Sequence, residues 1–159
     1  MSPFPIFKLK NKQYINLKNS LELKIVIANS SHNKYAEIIC ETIETSAMQR
    51  GTGIAKRTQE YIMTKFENQN AVIALDGDKF AGFCYIESWE HGKFVANSGL
   101  IVHPDFRGKG LAKQIKKVIF KQSRIKFPDS NVFSITTGLA VMKMNSDLGY
   151  KPVTFSELT

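Results

Sequence analysis

The chain has 159 residues, 43% hydrophobic and 23% charged, which suits one ordinary globular domain and argues against a disordered chain. At this size roughly two-thirds of the unfolded surface is buried on folding, so neither a disulfide nor a metal staple is required. The formal net charge of +8 calls for an anionic partner, nucleic acid or a phosphorylated cofactor, but says nothing about chemistry by itself.

Cys40 and Cys84 sit in apolar surroundings with no Cys or His at a metal-ligand spacing, so they read as reduced core thiols and no metal is expected. No apolar run approaches the ~18–20 residues of a membrane span, and Met1 to Lys18 mixes Pro, Phe, Lys and Asn without an uninterrupted apolar core, unlike a secretory signal. A cytoplasmic protein without membrane contact is the expectation.

In chain order, residues 1–20 read as an irregular arm and 21–159 as the domain. Leu21 to Ile27 alternates and then runs apolar, which predicts a strand. Asn29-Ser30-Ser31 offers turn and N-cap chemistry. From about Asn33 the positions Tyr35, Ile38, Ile39, Thr42 and Ile43 recur at helical spacing, so a helix should end before Gly51. Arg50 to Arg57 is a basic loop with two glycines, and Thr58 can cap a shorter helix carrying Tyr61, Ile62 and Phe66. Ala71 to Leu75 and Phe80 to Ile86 form a hairpin around Asp76-Gly77-Asp78, since glycine supplies the positive φ of such turns. A second turn at His91-Gly92 feeds a strand over 93–102, which Pro104 stops because it lacks a ladder donor. Leu111, Ile115, Val118, Ile119 and Gln122 then mark one face of a long helix, terminated by Pro128. A strand over 132–137, a helix over 139–148 and a last strand from Tyr150 to Phe155 complete the order. The fold class is α/β: a single domain whose mixed, mainly antiparallel sheet is flanked by helices.

The junction after Val102 carries the chemistry. A strand ends, Arg107-Gly108-Lys109-Gly110 forms a loop, and the long helix begins. Glycines let a ligand approach the backbone, and the first helical amides are unpaired and partly positive. Together they suit a phosphate, although such loops also serve as tight connections. Neither Gly-x-x-x-x-Gly-Lys-Ser/Thr nor Gly-x-Gly-x-x-Gly occurs, which argues against a nucleotide-hydrolysing loop.

Arg107-Gly108-Lys109-Gly110-Leu111-Ala112 resembles the Arg/Gln-x-x-Gly-x-Gly/Ala signature of the GNAT N-acetyltransferases. Leu100-Ile101-Val102-His103-Pro104 is similar to that family's fourth strand and its exit, Asp147-Leu148-Gly149-Tyr150 to the junction after its final helix, and the order of elements agrees from about 21 to 155. The resemblance implies acetyl-CoA as co-substrate. Amides from Arg107 through Gly108, Lys109, Gly110 and Leu111 to Ala112 would hold its pyrophosphate. Leu100, Ile101 and Val102 would pair with its pantetheine arm, and one strand amide would polarise the thioester carbonyl. Lys113, Lys116 and Lys117 lie on the following turns and read best as a solvated face.

The family commonly places a thiolate-protonating tyrosine five residues before the final aromatic, and that position here is Asn145. Asn145 can hydrogen-bond sulfur but is no acid. A thiol of pKa about 8.5 leaves as thiolate at a cost near 2 kcal/mol at pH 7, whereas deprotonating an amine costs about 4 kcal/mol. The base therefore matters more. Glu87, expected to close the third strand near the sheet cleft, is the first candidate, with His91 and His103 as alternatives.

The resemblance also places the acyl acceptor near the connection between the first two helices, where Arg50, Lys56 and Arg57 stand. Guanidinium groups suit carboxylates, so a small anionic amine such as an amino acid is expected. Residues 50–55, with Thr136-Thr137 through Lys143, are further similar to short bacterial GNAT proteins assigned to N-acylglutamate synthesis in arginine formation. That adds Thr136 and Thr137 to Arg50 and Arg57 as substrate-binding candidates. A peptide or protein amine is the main alternative acceptor. Two rivals from other classes are a silent acetyl-CoA-binding regulatory module and a nucleic-acid-binding domain. The second lacks any reader motif, so no nucleic-acid partner is expected. Nine residues after Tyr150 leave room for one strand where the family usually has two, and an uncovered edge favours a homodimer.

Overall fold

The computed structural model describes residues 23–51, 56–134 and 139–157. The expected arm at 1–20, the centre of the glycine-containing basic loop, and Thr136 and Thr137 lie outside these. Strand β1 (Leu23–Ile27) leads through a 3-10 turn (Ser30–Tyr35) into α1 (Ala36–Arg50). Asn29 caps that turn, accepting from the Ser31 amide at 2.9 Å. Gly51, in the left-handed region at φ 66°, ends α1, as a glycine stop predicts. Helix α2 (Gln59–Glu67) starts on Thr58, whose hydroxyl accepts from the Tyr61 amide at 3.1 Å.

Strands β2 (Ala71–Asp76), β3 (Lys79–Trp89) and β4 (Phe94–Val102) follow as two antiparallel hairpins. Strand β3 outruns its expected end at Ile86, so Glu87 lies inside the strand opposite Ala96 rather than closing it. Helix α3 (Leu111–Lys126), β5 (Asn131–Phe133) and α4 (Leu139–Asp147) complete the order. The described sheet runs β1-β2-β3-β4-β5, antiparallel except for the last pair.

The expected final strand from Tyr150 to Phe155 does not form. Pro152 removes a ladder donor, and Glu157 Oε2 captures the Thr154 amide at 2.6 Å and its hydroxyl at 2.9 Å. The chain turns locally there, ending in a 3-10 turn (Phe155–Glu157).

Alternation along the strands divides the core between two faces. On one, Ile39 and Ile43 of α1 and Ile62 and Phe66 of α2 pack on Phe83, Tyr85 and Ile101. On the other, Leu111, Ile115 and Ile119 of α3 cover Val72, Ala74, Cys84, Ile86 and Val95.

Strand β4 is irregular in two places. The β3–β4 register slips between Phe83↔Ile101 and Tyr85↔Ser98, so Gly99 and Leu100 together oppose Cys84. Gly99 takes φ 64° in this bulge, where glycine is favoured, and a Cβ there would lie 2.4 Å from the Tyr85 ring. Beyond Ala96↔Phe133, no described residue of β5 pairs with β4. Replacing Gly99 by Ala combines the left-handed strain with overpacking, and should lower stability by about 1–3 kcal/mol. A urea midpoint unchanged from wild type would contradict this account of the bulge.

Candidate active site

Where β4 ends, His103 Nδ1 accepts from the Asp105 amide at 3.2 Å, and Pro104 opens a 3-10 turn through Phe106. The Arg107 guanidinium turns back: Nε donates to the Val102 carbonyl at 3.1 Å and Nη2 to Ser46 Oγ of α1 at 2.9 Å. It therefore ties the loop to both β4 and α1. Gly108 and Gly110 take φ 77° and 75°, and a Cβ at either would meet nothing within 4 Å. Gly110 is the N-cap of α3 with no side-chain cap, and the first turn holds no acidic residue. The amides at that end are thus neither capped by the Gly110 position nor countered by a carboxylate of the helix's own first turn, the arrangement that receives a phosphate. Lys109 stands over the Phe106 ring at 5.9 Å, adding positive charge beside the loop.

The strand feeding this loop has one edge occupied by β3 and the other free of described partners past Ala96. Ile101 points into the core beneath α1 and α2, whereas Leu100 and Val102 pack toward α3. Leu100, Ile101, Val102 and the Arg107–Ala112 loop therefore form one continuous path from strand edge to helix end.

On the α1–α2 face, the structure gathers a polar cluster around Glu87. Lys65 Nζ donates to Glu87 Oε1 at 2.9 Å and to the Ile86 carbonyl at 2.9 Å. The Tyr61 hydroxyl donates to Glu87 Oε2. Arg57 Nε donates to the Tyr85 hydroxyl at 2.9 Å, and the Tyr61 and Tyr85 rings meet edge-on at 5.8 Å. Glu87 keeps a 27% exposed side chain, so its lone pairs can still meet a ligand or water. Arg50, by contrast, is exposed at the end of α1.

The alternative bases fall elsewhere. His91 is exposed in the β3–β4 turn at φ 55°, and His103 serves the turn after β4. Burial pushes the Cys84 thiol up to about 12 and raises that of Cys40, which suits inert core thiols. Among the described residues, no three His, Cys, Asp or Glu side chains gather as a metal site. No helix among them is long and apolar enough to cross a membrane.

Asn145 is buried on α4, apart from the Glu87 cluster, and its Oδ1 has no hydrogen-bond partner among the described residues. Its carbonyl accepts the Leu148 and Tyr150 amides at 3.1 and 3.0 Å. The expectation of a solvated lysine face on α3 needs correction at Lys116, which is 1% exposed. The buried arc is wider than the apolar stripe, since Ser123 is also fully buried. Lys113 pairs with Asp147 of α4 at 3.3 Å, and Lys117 is exposed.

Sequence reasoning missed Lys65, Tyr85 and Ser46 as polar members of the candidate site and placed Tyr61 on the helix without a site role. Tyr61 and Lys65 stand at i and i+4 beside Ile62 and Phe66, so they share a helix face. A lysine next to a buried stripe was the available signal.

The acetyltransferase (GNAT) family matches residues 41–125, and the chain belongs to that family. Its class of activity is that of an acyl-CoA-dependent N-acetyltransferase. Among solved structures, YncA of Salmonella typhimurium, determined with acetyl-CoA, is similar at 16% identity and a TM-score of 0.66, over 84% of this chain and 82% of that one. N-acetylglutamate synthase of Neisseria gonorrhoeae, complexed with coenzyme A and N-acetyl-glutamate, is similar at 18% identity and TM-score 0.65. That likeness covers 85% of this chain but only 30% of the synthase. Rv2747 of Mycobacterium tuberculosis, in complex with CoA and NLQ, matches at 16% identity and TM-score 0.61, covering 84% and 77%. At these identities the likeness establishes the fold. No curated protein matches the chain.

Burial, followed by its bond to Glu87, pushes the Tyr61 phenol far above its usual range, and burial does the same for Tyr150. Unfolding would restore a value of about 10. The stability held in these protonated phenols is complete below that pH and is lost as pH climbs above it. In a tyrosinate absorbance titration, the step near pH 10 should keep its amplitude in Tyr61→Phe and Tyr150→Phe. A smaller step in either variant would show that the missing phenol ionises normally.

Proposed function

We propose that the protein transfers the acetyl group of acetyl-CoA to the amine of a small anionic acceptor, an amino acid such as glutamate, by direct attack in a ternary complex. The observation that carries the donor half is one path: the β4 edge at Leu100–Val102, unpaired on its outer side among the described residues, runs into the glycine-built N-terminus of α3, which has no side-chain cap. The pantetheine arm adds to that edge as a strand, and the amides from Arg107 to Ala112 hold the pyrophosphate. Acetyl-CoA or CoA in the similar structures supports the same donor.

Glu87 takes the base role. It lies on the face opposite α3, inside β3 and opposite Ala96, the last β4 residue paired with β5 among the described residues. The acceptor nitrogen loses a proton to the Glu87 carboxylate, directly or through one water, and attacks the thioester carbon. The carbonyl oxygen takes up negative charge beside a β4 amide. The C–S bond then breaks with its electron pair going to sulfur. Lys65 and Tyr61 hold the carboxylate in a single orientation, which favours transfer to a fixed acceptor. Arg57 brings a guanidinium to the same face, suited to an acceptor carboxylate, while Arg50, Thr136 and Thr137 are further candidates near it. The likeness to a glutamate-acetylating enzyme supports glutamate only at the level of fold.

Free thiol release from acetyl-CoA with a panel of amines tests the reading. Glutamate or another acidic amino acid should turn over, and spermidine should not. Glu87→Gln should lower kcat about 100-fold while acceptor KM stays within a few-fold, as removal of a general base predicts. Gly110→Val should weaken CoA binding by roughly tenfold or more, corresponding to at least about 1.4 kcal/mol. Turnover confined to polyamines would overturn the anionic acceptor, and a fully active Glu87→Gln would remove the carboxylate from the chemistry.

A further inference from the structure

Lys116 is the most deeply buried charged side chain among the described residues. Its Nζ donates to Ser134 Oγ at 2.9 Å and stands 5.5 Å over the Tyr150 ring. Ser134 directly follows Phe133, the last β5 residue paired with β4. The Tyr150 hydroxyl donates at 3.2 Å to Oδ1 of Asn97, the first β4 residue beyond that pairing. Asn97 is in turn held by Ser123 of α3, its Nδ2 donating to Oγ at 2.7 Å. The four side chains of Lys116, Ser134, Tyr150 and Asn97 therefore gather at the end of the described β4–β5 ladder.

An ammonium withdrawn from water costs several kcal/mol unless an anion compensates it. None of these neighbours is one. The nearby Cys84 thiol is buried beneath β4, donates to the Ser98 carbonyl at 3.3 Å, and stays protonated because burial raises it to about 12. Among the described residues, the hydrogen-bond acceptor that meets the Lys116 ammonium is a neutral hydroxyl. A reaction that creates an anion at that end of the ladder would supply the missing partner.

We propose that Lys116 is the acid of the transfer, delivering a proton from Nζ to the sulfur of the departing CoA thiolate. The inference rests on the acetyltransferase reading above. As the C–S bond breaks, sulfur keeps the electron pair and takes the Nζ proton. Lysine is left neutral and regains a proton from solvent, while the ammonium acceptor gives up two protons in all, one before attack and one from the tetrahedral intermediate, each leaving through Glu87. Free CoA thiol, the amide and one net solvent proton result. This fills the role for which Asn145 has no ionisable group. Burial lowers Lys116 below the usual lysine range, which brings its acidity closer to that of a thiol. Its titration is set among the Cys84 thiol of β3, the Tyr150 phenol after α4 and, on neighbouring turns, Lys117 and the Lys113–Asp147 pair.

The test starts with the binary complex and needs no acceptor. The CoA thiol is titrated by the ultraviolet absorbance of its thiolate, with desulfo-CoA as reference. In wild type the bound thiol should ionise at least tenfold more readily than in Lys116→Met. Lys116→Arg keeps the charge but gives up no proton, so it should retain the eased ionisation while losing turnover. With the best amine, Lys116→Met should lose about 100-fold in kcat, keep CoA affinity within about threefold, and lack the wild-type fall in kcat as pH rises. Identical thiol titrations in wild type and a folded Lys116→Met, or wild-type turnover in a folded Lys116→Arg, would overturn the proposal. Eased thiol ionisation in a wild type that acetylates no amine would keep Lys116 at the sulfur and refute the acetyltransferase reading instead.

Discussion

Everything at the candidate site depends on the outer edge of β4. β4 and β5 share three residue pairs, Phe94↔Asn131 to Ala96↔Phe133, and past them no described residue of β5 continues the ladder. A strand released from its neighbour presents backbone donors and acceptors that need partners. Here that edge leads into a helix end with no side-chain cap and no acidic residue in its first turn.

Two buried lysines flank the sheet, one on each face, and their surroundings differ. Lys65 has a carboxylate partner in Glu87 and a carbonyl in Ile86. It is compensated, and its effect is to orient. Lys116 rests on a hydroxyl and an aromatic face, a weaker environment for a cation. The contrast separates a lysine that fixes a base from one left with capacity to receive an anion. Arg107 shows a third use of positive charge. It lies in the phosphate loop, yet its guanidinium fastens the loop to Val102 and Ser46, so backbone amides form the loop's exposed surface.

Much of this was legible in the sequence because it rests on local rules. Gly51, Thr58, Gly77 and Pro104 mark boundaries through φ preference, capping or a missing donor, and the structure places each where those rules put it. The loop from Arg107 to Ala112 was readable for the same reason. Where tertiary contact decides, the reading failed. The strand expected after Tyr150 gave way to Glu157 folding back on Thr154. Lys116 looked solvated because its burial comes from β5 and the segment after α4, neither of which its helical spacing reveals. Glu87 was singled out by position, but its partners Tyr61 and Lys65 come from 26 and 22 residues away, a separation that pattern alone does not bridge.

The far end of α3 is anchored as firmly as its near end is open. Lys126 donates to the Asn68 carbonyl and to Asn70 Oδ1, and Gln122 to the Gln69 carbonyl. The Asn70 carbonyl in turn accepts the Ile86 amide at 2.7 Å, one residue before Glu87. The helix is therefore a measuring rod with its zero fixed at the segment that holds the Ile86 amide. With a rise of 1.5 Å per residue, its sixteen residues set the phosphate end about 24 Å away. Inserting or deleting one residue would change that length by only about 1.5 Å but rotate the loop by roughly 100°, turning its amides away from the strand edge they continue. The rod's length is thus held less by the reach it provides than by the direction in which it points.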